Sequence, residues 1–208
     1  IGAESKEEAE ELAPIGSVCV FDAPTTLQGD TLISPYTDDL CGCIALLVAM
    51  EELKDTQVEN DLWFVFTVQE EVGLRGAKPA AWDVQPYMGI AVDVTRTGDT
   101  AGEIDGQRMQ VSMGKGPTVK IKDSSVQCNP QVIELLRKAA KASKIPYQDE
   151  ILLAGGTDTA AVQKTRAGIL SGCVSIPCRN IHAPAEMVSV KDVENVGKLL
   201  AAAAKMPL

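Results

Sequence analysis

Leu62-Trp63-Phe64-Val65-Phe66-Thr67-Val68-Gln69-Glu70-Glu71-Val72-Gly73 is the stretch whose reading decides the fold. Its first seven residues are aromatic, β-branched or leucine, the composition of a buried strand. The run stops at two adjacent carboxylates. Charge at the rim of a core is costly to desolvate unless a metal or another cation compensates it. In an α/β sheet that rim is also where ligands bind. Two neighbouring carboxylates permit a division of labour, one holding a metal while the other handles a proton. A solvated turn after a strand is the plainer alternative, and this stretch alone leaves both readings open.

Working outward, helical and extended patterns alternate. Residues 3–12 are acidic and helix-prone, with Ser5 and Glu8 at capping-box spacing. Residues 17–21 read as a short strand. Residues 43–53 read as a helix with an apolar face of Ile44, Leu47, Val48 and Met50. Residues 88–92 form a strand that ends at Asp93. Residues 109–113 and 118–121 are expected strands around Gly114-Lys115-Gly116-Pro117. Asn129-Pro130 starts a helix facing inward through Val132, Leu135, Leu136 and Ala139. Residues 151–154 and 174–176 are further strands. Ser189 caps a last helix with Val193, Val196, Leu199 and Leu200 inside. This alternation predicts an α/β fold with a mainly parallel central sheet and helices on both faces.

Composition narrows the classes of function. The 208 residues, 45% apolar and 23% charged, suffice for one domain with a substantial core. A net charge of -10 argues against nucleic acid as a partner, since phosphate binding needs a basic surface. No apolar stretch approaches the roughly 20 residues that span a bilayer, so no membrane partner is expected. None of the six cysteines forms a C-x-x-C pair, which argues against a zinc knuckle. They read as buried free thiols in a reducing cytoplasm. The chain opens at Ile1-Gly2-Ala3 without a methionine and is expected to be a piece of a longer protein.

Several acidic residues and the sole histidine fall at strand ends. Asp38 and Asp39 precede a helix, Glu70 and Glu71 end one strand, Asp93 ends another, and His182 follows the strand at 174–176. A parallel sheet gathers its strand ends along one edge, and Asp, Glu and His together suit Zn²⁺ or a related ion. Each residue also has an ordinary reading: an N-cap for Asp38 or Asp39, a turn for Asp93, a structural histidine for His182.

Longer segments carry a resemblance. Thr37-Asp38-Asp39 with Gly42, Thr67-Val68-Gln69-Glu70-Glu71-Val72-Gly73-Leu74-Arg75-Gly76-Ala77 and Ala91-Val92-Asp93-Val94-Thr95 are followed by Gly114-Lys115-Gly116-Pro117, Gly155-Gly156-Thr157-Asp158 and residues 175–186. Over nearly the whole chain their order and spacing resemble the dimetal aminopeptidases of the glutamyl and tetrahedral self-compartmentalising type. Relatives with this pattern have also been labelled endoglucanases, but two sequence-adjacent carboxylates do not flank a glycosidic bond and an aromatic content of 4% is thin for a polysaccharide cleft.

The resemblance implies a three-layer α/β/α zinc-peptidase catalytic domain, here incomplete. It implies that residues 1–16 are the tail of an inserted small β domain and that residues 17–208 are the C-terminal part of the catalytic domain. It assigns Asp38 as the carboxylate bridging two divalent ions, zinc or cobalt. Glu71 and His182 become ligands of one ion, Asp93 a ligand of the other, and Glu70 the general base. Gly155, Gly156 and Thr157 become the lining of the substrate cleft, with a peptide as substrate. The full-length protein is expected to form a dimer-based homo-oligomer, up to a dodecamer. Two departures stand out. Leu40 replaces an arginine common after the Asp pair, and an upstream metal-binding histidine in a His-x-Asp motif is absent, because His182 is the only histidine. This chain alone is therefore expected to hold one ion or none and to show little activity.

Overall fold

The computed structural model describes residues 1–101 and 109–207. A single open seven-stranded sheet carries the fold. Its spine is β6 (Leu170–Arg179), buried throughout except at its two ends. β3 (Met88–Arg96) runs parallel along the whole of it, Met88 opposite Leu170 and Arg96 opposite Cys178. On the other edge of β6, β4 (Thr118–Lys122) pairs antiparallel at Val174 and Ser175, and β7 (Glu186–Ser189) pairs antiparallel at Cys178 and Arg179. β5 (Gln148–Ile151) adds outside β4 in parallel. β2 (Thr31–Ser34) and β1 (Thr26–Gln28) add outside β7, both antiparallel.

The α/β class holds, but the sheet is mixed rather than mainly parallel. Only β3 with β6 and β4 with β5 are parallel among the described residues. The chain reverses within a few residues between β1 and β2 and between β6 and β7, and such short connections return a strand antiparallel.

α2 (Thr37–Leu53), α4 (Pro130–Ala142) and α6 (Val190–Ala204) flank the sheet, α6 packing against both of the others. α4 buries Val132, Ile133 and Leu136, and α6 buries Val193, Val196 and Leu199. Ser189 starts α6 as expected, its hydroxyl accepting the Asp192 N–H at 3.2 Å. Asn129 stands at the cap of α4, but its side chain accepts from the Ser171 N–H at 2.8 Å and so ties the helix start to β6. α2 meets α6 at Gly197, where a Cβ would lie 2.6 Å from the Ala45 carbonyl oxygen. α3 (Ala77–Val84) and α5 (Thr159–Gln163) lie against each other, and α1 (Lys6–Leu12), capped by Ser5, buries nothing. No helix among the described residues is long and apolar enough to cross a membrane.

A charged network lies inside the sheet. Lys120 on β4 and Glu150 on β5 form a fully buried ion pair, with an Asp123 oxygen 3.8 Å from the ammonium. The Thr95 hydroxyl donates to Glu150 at 2.7 Å. Such a pair is tolerated only when its members are well satisfied.

Several expectations are corrected. Residues 62–68 join no sheet and are largely exposed, Trp63 at 69%. A strand needs a partner edge, and none of the described residues supplies one to this run. Residues 17–21 and 109–113 likewise form no strand, and the strand placed at 151–154 is β5, three residues earlier. Asp93 does not end β3, which continues to Arg96. On α2 the inward face is Cys41, Ala45 and Ala49, while Ile44, Leu47 and Met50 point outward. At the close approach Gly197 faces the Ala45 carbonyl and the Val48 side chain, so Val48 packs inward as expected while the other three do not. All six cysteines are free; Cys19 is exposed and Cys43 half-buried, against the expectation of burial.

Candidate metal centre

The candidate donors arrive from four places. Asp38 and Asp39 lie in the first turn of α2, where both leave helical geometry across a cis peptide bond. Glu70 and Glu71 sit in a tight turn, in which Gly73 and Leu74 donate their N–H groups to the Glu70 carbonyl at 3.0 and 2.9 Å. Asp93 lies within β3, and His182 lies between β6 and β7. Tyr36, Gln69 and His182 all have left-handed φ values of about 60°. For residues other than glycine this conformation costs on the order of 1 kcal/mol each and clusters at functional sites.

These segments converge. Ligand atoms of Asp38, Glu71 and His182 lie within 4.8 Å of one another, and so do those of Asp38, Asp39 and Asp93. Asp38 is common to both groups. His182 Nε2 is 3.1 Å from Asp38 Oδ2 and 3.3 Å from Glu71 Oε2. Gly42 is required beside them: its N–H donates to Asp39 at 3.1 Å, and a Cβ at this position would sit 2.2 Å from the Asp39 carboxylate.

Glu186 braces the arrangement from below. It is 3% exposed. One oxygen accepts the Thr37 hydroxyl at 2.8 Å and the Asp38 N–H at 3.0 Å; the other accepts the His182 N–H at 2.8 Å. A single buried carboxylate thus fixes the backbone of two donor-bearing segments.

Crowding shows in the proton affinities. Burial, reinforced by Glu71, pushes Asp38 up to about 6. Glu70 is pushed up to about 7, by burial first and then by Asp158, Glu71 and Asp38. Asp39 and Asp93 are also raised well above the usual carboxylate range, by burial and then by neighbouring carboxylates. Like charges this close resist ionisation until a cation joins them. Carboxylates with one imidazole are the donor chemistry that zinc and related divalent ions accept, so the residues present fit such an ion.

A cavity of about 940 Å³ opens beside the donors, lined by α2, α3, residues 60–67 and the inner part of β3. Of the segment Gly155-Gly156-Thr157-Asp158 only Asp158 lines it. Thr157 is buried with its hydroxyl donating to Thr159 at 2.9 Å, and Gly156 faces Ser125. Sequence reasoning brought Asp38, Glu71, Asp93 and His182 to this place, but gave no role to Asp39, Glu186 or Asp158. Asp39 was visible as half of an acidic pair. Glu186 and Asp158 lie in segments that carry the resemblance, but they act on partners up to 149 residues away, which the sequence does not reveal.

Comparison with known proteins gives one consistent result. The M42 glutamyl aminopeptidase family profile matches residues 1–199. A relative from Acetivibrio thermocellus is 50% identical over 200 residues, covering 96% of this chain and 59% of its own length. The lysyl aminopeptidase of Pyrococcus furiosus is 36% identical over 96% of this chain and 56% of its own. Among solved structures, an aminopeptidase of Desulfurococcus kamchatkensis superposes with a TM-score of 0.90 at 34% identity, covering 99% of this chain and 58% of its own. The Pyrococcus horikoshii TET1 peptidase, described as assembling into a tetrahedron or a large octahedral shell, superposes at 0.83 with 33% identity, covering 98% of this chain and 59% of its own. The chain thus spans less than two thirds of the length of these relatives. With a family match across 199 of its 208 residues, this chain belongs to the M42 glutamyl aminopeptidase family.

Proposed function

We propose that this chain carries most of the catalytic centre of a two-metal aminopeptidase acting on peptides. The observation that carries the reading is the pair of donor groups sharing Asp38, with Glu70 adjoining one of them in sequence. Asp38, common to both groups, would be shared by the two ions; Glu71 and His182 would complete one position, and Asp93 with Asp39 would serve the other. Two zinc or cobalt ions seated there would polarise the scissile carbonyl and acidify a water.

Glu70 takes the proton of the attacking water as the carbon–oxygen bond forms. It returns that proton to the amine nitrogen as the carbon–nitrogen bond breaks. A carboxyl raised to about 7 is matched to both halves of that task near neutral pH. Glu186 keeps Asp38 and His182 in register by holding their backbone N–H groups. A homo-oligomeric assembly is the accompanying expectation, supported by the assembling relative, and a cytoplasmic location is proposed with it.

The two positions differ in chemistry. The one with His182 suits zinc better than the other, which among the described residues offers carboxylate oxygens alone. Metal titration is expected to give one retained ion and a second that washes out, with slow release of N-terminal residues from unblocked peptides. Retention of no ion under zinc or cobalt saturation would remove the basis of the proposal.

A further inference from the structure

The cavity beside the donors lies at an edge of the sheet. Residues 88–93 of β3 line it without interruption, and so do residues 60–67 on the opposite wall. Side chains of a strand alternate between its two faces, so a cavity bordered by consecutive residues lies along the strand's edge and not over one face. Among the described residues β3 is paired along one edge only, with β6. No backbone group of residues 62–67 bonds to another backbone group among the described residues. Both walls run toward the donors, one leading to Glu70 and Glu71 and the other to Asp93. Two open backbone edges thus run the same way on either side of one slot, and such edges are templates for pairing.

Size and surroundings agree. Six strand residues, at about 3.3 Å each, about 4.8 Å between strands and about 10 Å between layers, fill about 950 Å³. The cavity measures about 940 Å³. Helices cover both of its faces. A Cβ on Gly89 would meet Val162 of α5, whereas one on Gly172, in register with Ile90, would meet Val132 of α4. α3 packs with α5 on the first face, and α6 joins α2 and α4 on the second. A strand enclosed by helices on both faces is apolar throughout. Trp63, Val65 and Phe66 stay exposed on the outer wall.

We infer that the slot seats one extended apolar strand, paired with β3 on one side and with residues 62–67 on the other. Its source is the part of the polypeptide that the relatives have beyond the 58–59% of their length spanned here. The walls keep their places in such a longer protein: the Desulfurococcus kamchatkensis aminopeptidase superposes over 99% of this chain with a TM-score of 0.90. A second copy of this chain is a poorer occupant. The outer strands it could offer are β1, Thr-Leu-Gln, and β5, Gln-Asp-Glu-Ile, and neither is apolar throughout. Main-chain bonds along two edges supply affinity, and the spaces for alternate side chains supply selectivity. The cavity is therefore the seat of a strand rather than a substrate pocket. This inference stands on the sheet and on family membership, not on the two-metal reading.

The test is amide hydrogen exchange, read by NMR, on this chain alone and co-expressed with the residues of the Acetivibrio thermocellus relative that lie outside the 200-residue match. Within residues 88–93 alternate amides face β6 and the others face the slot. In the isolated chain the slot-facing set is expected to exchange fast. With the complement present, that set and the amides of residues 62–67 are expected to slow by about tenfold or more, with both polypeptides eluting as one complex. Joining the complement to this chain through a flexible linker supplies it in the same polypeptide if it does not fold separately. Slow exchange of the slot-facing set in the isolated monomer would mean that the walls close on each other, and overturns the inference. Slowing that appears in the isolated chain only with rising concentration, together with a dimer, gives the slot to a second copy and overturns it too. So does a complement that, separate or linked, leaves the slot-facing set exchanging fast.

Discussion

The two flanks of β6 are covered to very different degrees. On the side of β4 and β7, α4 and α6 close over the sheet, and Val132, Leu136, Val196 and Leu199 are shut from water. On the side of β3, Trp63, Val65, Phe66, Leu40 and Tyr87 are exposed around an open cavity. Both flanks are rich in apolar residues. The difference teaches that an apolar run states what a segment can bury, while burial itself requires a neighbour.

The comparison breaks most readily on the closed flank. Lys120→Met removes the cation from between Glu150 and Asp123 and strands their charge in the core. About 3–5 kcal/mol of stability should be lost, read by urea denaturation. Leu136→Ala leaves a cavity under β6 and should cost about 3 kcal/mol in the same measurement. Ser189→Ala deletes the cap of α6 and should cost about 1 kcal/mol.

The candidate metal centre lies where the flanks meet, and pH probes it. Asp38 and Glu70 hold their protons up to about 6 and about 7, so between about pH 4.5 and pH 7 the folded, metal-free chain binds protons that the unfolded chain has released. Stability then rises as pH falls through that window and is lost as pH rises through 6 to 7. Melting temperatures of chelator-treated protein at pH 5.5 and pH 7.5 should follow that order. Excess zinc should reverse it, because protons compete for the same oxygens. A metal-free protein that gains stability with rising pH over this range would show that the carboxylates are not crowded. The smallest effect belongs to the open flank: Trp63→Ser should change stability by no more than about 0.5 kcal/mol. A loss comparable with Leu136→Ala would mean that the flank is closed in solution.

These contrasts also explain what was legible in the sequence. β6, α4 and α6 could be read because their apolar positions found partners and their starts carry Asn129-Pro130 and Ser189. The run at 62–68 carries an equally strong strand signal and lies outside the sheet, since periodicity says nothing of a neighbouring edge. The face of α2 was right at Val48 and wrong at Ile44, Leu47 and Met50, because Gly197, 152 residues after Ala45, sets which side of the helix meets α6. In the candidate site, Asp38, Glu71, Asp93 and His182 were reachable from strand ends and motif resemblance. Asp158 stands in a matched segment, but its contact was not legible: its partner Thr67 is 91 residues away, and its other oxygen is distinguished by a missing bond.

Glu186 has a consequence for a chain still being made. Its bonds to Thr37 and Asp38 join parts of the polypeptide 149 and 148 residues apart. While the ribosome has delivered α2 but not yet β7, nothing holds Asp38 in register with His182. Contacts this distant in sequence form late. Ion capture is therefore expected to follow emergence of residue 186 from the ribosome, so that loading discriminates against a chain cut short before that residue.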